Sequence, residues 1–267
     1  MPTSLEWLRY FEENAKSLLE IPWDVGPELT ADETDAIAQS LKEFQAGESS
    51  EGKHLYRHAQ DYAERTGDRE YVGAIRLFIA EEQRHARDLG RFLKINGIEL
   101  VKTTFTDQVF RRLRNLFGGL EISVAVLITA EIIAKVYYAV VREATKSTIL
   151  RRLCDQILSD ELRHVQFQAQ QLRTLRAKRG MIRMAMTRFL QRFLYFGTVL
   201  VVWVFHKRTI RRGGLSCLGW WGLCWREFND AFARELSAQN PFHHGGVVGA
   251  FALHEDADPE NAAGGPD

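Results

Sequence analysis

All six prolines of this chain, at positions 2, 22, 27, 241, 259 and 266, lie outside residues 28 to 240. A helix interior tolerates proline badly, because the ring removes a backbone hydrogen bond and clashes with the preceding turn. So long a proline-free interval therefore suits consecutive helices. Little of it alternates apolar and polar residues as a half-buried strand would. The chain reads as all-α.

Local signals divide the interval. An amphipathic, acidic helix over about 5–20 is followed by a turn at Ile21-Pro22-Trp23-Asp24, whose indole is expected to pack back on the body. Thr30 and Glu33 fit a capping box, in which each side chain satisfies the other's backbone N–H. A long first helix is predicted from there to about Arg65, broken at Thr66-Gly67-Asp68, and a second from about Arg69 to Ile95. A shorter helix at 107–116 and Gly118-Gly119 form a crossover. The third main helix, Leu120 to about Ala144, is apolar nearly all round and should be the most buried. Ser147 caps a fourth, to about Lys178; two apolar helices follow, at about 181–210 and 219–237. The expected organisation is an N-terminal helix and turn (1–29), a four-helix bundle (30–180), apolar helices packed on it (181–238) and a disordered tail (239–267).

Net charge is zero and the charged fraction is 26%, which removes any global argument for nucleic acid. The basic stretches 173–192 and 207–212 read as solvated helix faces, and no nucleic-acid partner is expected. Cys154, Cys217 and Cys224 form no even framework and no C-x-x-C, which suits a reducing compartment, the cytoplasm by default. The uncharged run 193–206 is shorter than the roughly 20 residues a membrane span needs. Trp203, Trp220, Trp221 and Trp225, with Lys207, Arg212 and Arg226 beside them, admit a membrane-surface contact. Helices that cover the bundle, or bury a homodimer contact, are the simpler reading.

Chemistry enters with a spacing. Glu161 and His164 lie three apart, so on a helix they share a face, and Leu150, Leu153, Ile157 and Val165 turn that face toward an apolar core. A buried charge is tolerated when it is paired or coordinates a metal. With 22 Glu and 8 His, chance supplies roughly 0.7 Glu-x-x-His spacings. Three occur: Glu51/His54, Glu82/His85 and Glu161/His164. The second again sits on an apolar stripe, made by Ile75, Phe78, Ile79, Ala86, Leu89 and Leu93.

Two such motifs invite two further carboxylates from the other helices. Glu131 is the one charge between Leu127 and Ala134, 30 residues before Glu161. Glu48 lies on the stripe of Ile37, Leu41, Phe44, Gly52, Leu55 and Ala59, 34 residues before Glu82. The candidate ligand set is Glu48, Glu82, His85, Glu131, Glu161 and His164. Glu51 is a near neighbour, and His54 a packed or exposed helix residue. Four carboxylates balance two divalent cations, and the mixed oxygen and imidazole donors favour two iron ions, with Mn/Fe or di-manganese as the alternatives.

The arrangement resembles the di-iron carboxylate site of ferritin-like four-helix bundles. Phe44-Gln45-Ala46-Gly47-Glu48-Ser49 is similar to the first-helix motif of rubrerythrins. Asp160-Glu161-Leu162-Arg163-His164 is similar to the last-helix motif of di-iron oxygenases, desaturases and the ribonucleotide reductase small subunit. By that resemblance Asp160 orients a ligating imidazole. The whole chain also resembles bacterial ferritin-like domain proteins. The absence of C-x-x-C sets it apart from rubrerythrins that carry a rubredoxin module, so electrons are expected from an external donor. The resemblance implies an O2-activating oxidase or oxygenase with an unidentified organic small-molecule substrate; the alternative is iron or peroxide handling, as ferroxidase or peroxidase. Tyr137 and Tyr138 are read chiefly as packing residues, with Tyr138 also a candidate neighbour of the ligands.

Overall fold

The computed structural model describes residues 1–49, 52–101 and 119–236. Within them α1 runs Ser4–Asn14, α2 Ala31–Glu48, α3 Lys53–Thr66, α4 Arg69–Ile95, α5 Leu120–Ala144, α6 Thr148–Arg176, α7 Met181–Arg212 and α8 Cys217–Leu236. A 3-10 turn covers Trp23–Val25, and no strand occurs among the described residues. The expected helix at 107–116, Glu51 and the expected disordered tail lie outside them.

Side-chain caps fix several starts. Thr30 Oγ accepts from the Glu33 N–H while the Glu33 carboxylate accepts from the Thr30 N–H, closing the capping box of α2. Asp68 caps α4 through the Tyr71 N–H, and Ser147 caps α6 through the Leu150 N–H. Each such cap contributes about 1 kcal/mol. Glu33 also accepts from the Lys146 N–H and the Thr145 hydroxyl, which ties the start of α2 to the turn between α5 and α6.

The single long first helix is not what forms. It is broken between Glu48 and Lys53, and Gly52 adopts φ 62°, in the left-handed region that glycine enters without steric cost. A Cβ at Gly52 would lie 2.7 Å from the Ile79 side chain, so the close approach to α4 also requires glycine. The apolar stripe continues through the break, which is why periodicity alone reads one helix. Its consequence is local: Glu48 becomes the last residue of α2.

The α2 and α3 segments pack on α4, α5 packs along α6, and α4 meets α6. α1 lies along α4. Of the two C-terminal helices, α7 covers α5 and α2, and α8 covers α6 and α5. The result is an all-α, ferritin-like bundle with an N-terminal helix and two additional helices. One hydrophobic cluster runs from Trp7 and Phe11 through Ile37, Phe78, Ile132 and Leu153 to Tyr195, Trp220 and Phe228. At the α7 to α8 turn, a Cβ on Gly213 would collide with the Val140 carbonyl, so this close packing on α5 also needs glycine. Trp23 packs back as expected, under the Arg91 guanidinium at 4.1 Å.

Both α5 and α7 are long and apolar enough to cross a bilayer by length and composition, but they differ in surroundings. The apolar window of α5 is mostly buried, which is what a core helix shows. Less than half of the α7 window is buried. Tyr195, Val199, Val202 and Ile210 face the body, while Ile182, Met186, Phe189, Phe193, Leu200 and Val204 are exposed. Trp203 and Trp220 are buried, so the expected tryptophan surface reduces mainly to Trp225.

Candidate metal centre

α4 and α6 each bring the sequence acid-Glu-x-x-His to the middle of the bundle: Glu81-Glu82 with His85, and Asp160-Glu161 with His164. On each helix the Glu and His share a face by their three-residue spacing. α5 adds Glu131 from its midpoint, and α2 adds Glu48 from its final turn. Phe78 and Phe11 pack against the His164 ring and close the apolar wall around it.

The six side chains converge. Glu48, Glu82, His85 and Glu161 can each offer one donor atom to a group whose members all lie within 4.8 Å of one another; Glu82, Glu131, Glu161 and His164 form a second such group. Glu82 and Glu161 belong to both. The sequence-predicted set is therefore brought together entire, as two neighbouring donor groups with two carboxylates in common. His54, by contrast, is exposed on α3 and makes a local contact with Arg57.

The imidazoles are oriented from behind. His85 Nε2 lies 3.0 Å from Asp160 Oδ2, and His164 Nε2 lies 2.8 Å from Glu81 Oε2. Each Nε2–H thus donates to a carboxylate, and each Nδ1 turns inward to the cluster, His164 Nδ1 at 3.0 Å from Glu82 Oε1 and His85 Nδ1 at 3.7 Å from Glu82 and Glu161. The partners are exchanged: the acid preceding Glu161 on α6 holds the histidine of α4, and the acid preceding Glu82 on α4 holds the histidine of α6. Asn14, at the end of α1, donates to both acids, at 2.6 Å to Glu81 and 2.9 Å to Asp160. Gln156 and Arg84 also donate to Asp160.

Asp160 accords with its expected role, although the histidine it orients belongs to the other helix. Tyr138 does more than pack, since its hydroxyl donates to Glu48 Oε1 at 2.8 Å. Burial, then the adjacent Glu48 charge, push the phenol well above its ordinary range and keep it a donor. Tyr137 turns away, to Ser40 and a stack on Phe44. Gln168 donates to Glu131 at 2.9 Å. Sequence reading missed Glu81, Asn14 and Gln168; only Glu81 carried a signal, its place one residue before Glu82 matching that of Asp160 before Glu161.

Electrostatics identify what the cluster lacks. Burial first, and then neighbouring carboxylates, push Glu82 and Glu161 well above the ordinary range. Burial would also raise Glu131, but hydrogen bonds and the facing His164 hold it below its usual value. Burial would lower His164, yet four surrounding carboxylates lift it well above an ordinary histidine. Asp160, raised by burial alone, is held down at about 2 by the His85 hydrogen bond and the charges of His85 and Arg84. The cluster therefore calls for positive charge, from protons or from cations. Both Glu161 oxygens and His85 Nδ1 are buried with no hydrogen-bond partner within reach, and Glu82 Oε1 and His164 Nδ1, also buried, face each other at 3.0 Å. Buried polar atoms are almost always satisfied, so this concentration of exceptions fits a pair of cations. A small cavity lined by Leu18, Leu19, Ile21, Arg84, Asp88, Leu153, Gln156 and Ile157 opens beside His85.

No protein-family model matches the sequence, and no curated protein matches it. Among solved structures, the chain is similar to an R2-like ligand-binding oxidase, a Glu-to-Asp variant with an aerobically reconstituted Mn/Fe cofactor. The TM-score is 0.64 at 17% identity, over 88% of this chain and 93% of that one. The ferritin-like helical fold is thus shared over nearly the whole of both chains.

Proposed function

We propose that the protein is a dinuclear metal oxidase, holding two iron ions or a manganese and an iron, and oxidising a small organic substrate with O2. The observation that carries this reading is the pair of donor groups sharing Glu82 and Glu161. Glu48 and His85 complete one group, Glu131 and His164 the other. In this reading Glu82 and Glu161 would be available to both ions, with Glu48 and His85 holding one and Glu131 and His164 the other. The oxidase with the similar fold, and its Mn/Fe cofactor, support the assignment. When bound, the two ions supply the redox chemistry that dioxygen reduction requires.

The chain's own residues do the rest. Asp160 and Glu81 fix the imidazole tautomers and raise their basicity toward a cation. Tyr138 and Gln168 each orient the carboxylate particular to one group. Phe11, Phe78 and the apolar α5 exclude water, which strengthens the electrostatic interactions inside. Electrons beyond those the substrate gives up would come from an external donor. The test is metal content of protein purified without oxygen, followed by optical spectra on adding O2. Two redox-active ions per chain and an O2-dependent visible band are expected. Failure of ferrous or manganous ions to bind at two per chain would refute the dinuclear assignment. Full turnover of ferrous iron or peroxide without any organic additive would transfer the protein to iron or peroxide handling.

A further inference from the structure

The outer face of α7 has no role in the metal centre. Ile182, Met186, Phe189, Phe193, Leu200 and Val204 lie three, four or seven residues apart, on one side of the helix, and are all exposed, Ile182 at 86% and Phe193 at 73%. At 1.5 Å per residue the stripe is about 33 Å long. Such continuous apolar exposure marks an interaction surface. At 100° per residue, Arg183 falls about 90° to one side of its midline and Arg192 about 90° to the other, while Lys207 closes its C-terminal end.

Along the chain, the charge on and around this helix has one sign. Residues 162–226 contain thirteen Lys or Arg and no Asp or Glu. Arg208 and Arg212 pair with Asp35 and Asp32 of α2, and Arg179 with Glu121 of α5. Arg183, Arg188, Arg192 and Lys207 are exposed and take part in no ion pair among the described residues.

We propose that this face seats the protein on an anionic lipid bilayer, with Phe189 and Phe193 at the acyl boundary and Arg183 and Arg192 among the lipid phosphates. An apolar stripe bordered by cations is what an interfacial helix requires. A second copy of the chain is the poorer fit, since two-fold pairing would set these arginine rows against each other. The helix lies on the membrane and does not cross it, because Tyr195, Val199, Val202 and Ile210 are occupied in packing on the body. The proposal is independent of the oxidase reading.

Flotation of the full-length, metal-loaded protein with vesicles tests it, using phosphatidylcholine alone or mixed equally with phosphatidylglycerol. The protein should float with the anionic vesicles and remain behind with the neutral ones. Raised salt should weaken the association. Phe189→Ser with Phe193→Ser, and separately Arg183→Gln with Arg192→Gln, should each lower partitioning by at least about tenfold. On the unsubstituted protein, hydrogen–deuterium exchange should show new protection confined to residues 181–205 when anionic vesicles are added. Absence of flotation, protection elsewhere in the chain, or a dimer that the phenylalanine substitutions convert to monomer would overturn the proposal.

Discussion

Glu131 stands in the middle of α5 with helix on both sides, whereas Glu48 is the last helical residue of α2, beside a break that depends on Gly52. The same inequality runs through the two halves of the cluster. The acid behind His85 is Asp160, gripped by Arg84, Gln156 and Asn14; the acid behind His164 is Glu81, for which Asn14 is the further donor. Two copies of one motif thus hold similar donors against backbones of different stiffness. Glu48 is placed by a helix end and the Tyr138 hydroxyl, Glu131 by a helix interior and Gln168.

The largest effect should separate shared from unshared donors. Glu161→Ala removes a member of both groups and should leave neither ion stably bound, while Glu131→Ala or His164→Ala should abolish at least one. Helicity should survive in all three, and metal analysis with circular dichroism decides; full occupancy in the Glu131 or His164 variant would sink the ligand assignment. Next come the orienting acids. Asp160→Asn and Glu81→Gln should each weaken metal binding by about 10- to 100-fold. Only the first also strands Arg84, and it should cost about 3 kcal/mol or more in denaturant unfolding of the metal-free protein. Equal stability losses would mean that the two halves are held alike.

A smaller effect reads the seam at the start of α2. Glu33 is buried; although burial raises its pKa, hydrogen bonds from Lys146, Thr30 and Thr145 bring it down to about 2, below the ordinary 4.5. A depressed folded-state value means stability that is fully present above pH 4.5 and lost as the pH falls toward 2. Glu33→Gln should therefore be less stable than the parent at neutral pH by about 2 kcal/mol, with the gap closing as acid is added. A gap that stays constant down to low pH would rule out that origin. The smallest change is Tyr138→Phe, which removes a single hydrogen bond to Glu48 and should cost about 1–2 kcal/mol. It should alter the spectrum of the ion bound by Glu48 and His85 and leave the other unchanged.

Much of this was legible in the chain before its fold was known. The cap at Thr30, the break at Thr66-Gly67-Asp68 and the cap at Ser147 give α2, α4 and α6 their starts, because those signals are local. The six donors follow from two spacings and two lone acids on apolar stripes. What stayed hidden is what depends on distant neighbours. The break after Glu48 is set by how closely Gly52 approaches Ile79 on α4, and periodicity cannot report that. Asn14 meets acids 67 and 146 residues away, so no motif announces it. Trp203 and Trp220 are hidden by α7 and α8 packing on the body, which left phenylalanine and methionine, not tryptophan, on the outer face.

The exchange of orienting acids between α4 and α6 bears on how the protein matures. Glu161 belongs to both donor groups, and each histidine depends on an acid from the opposite helix. A nascent chain that has released only α1 to α4 therefore carries neither binding site in finished form. On the proposed function, metal capture would wait until α6 had emerged and docked in register, and a slip between the two helices would spoil both donor groups together. Metallation would then act as a checkpoint on folding: a chain holding both ions would have aligned its two halves.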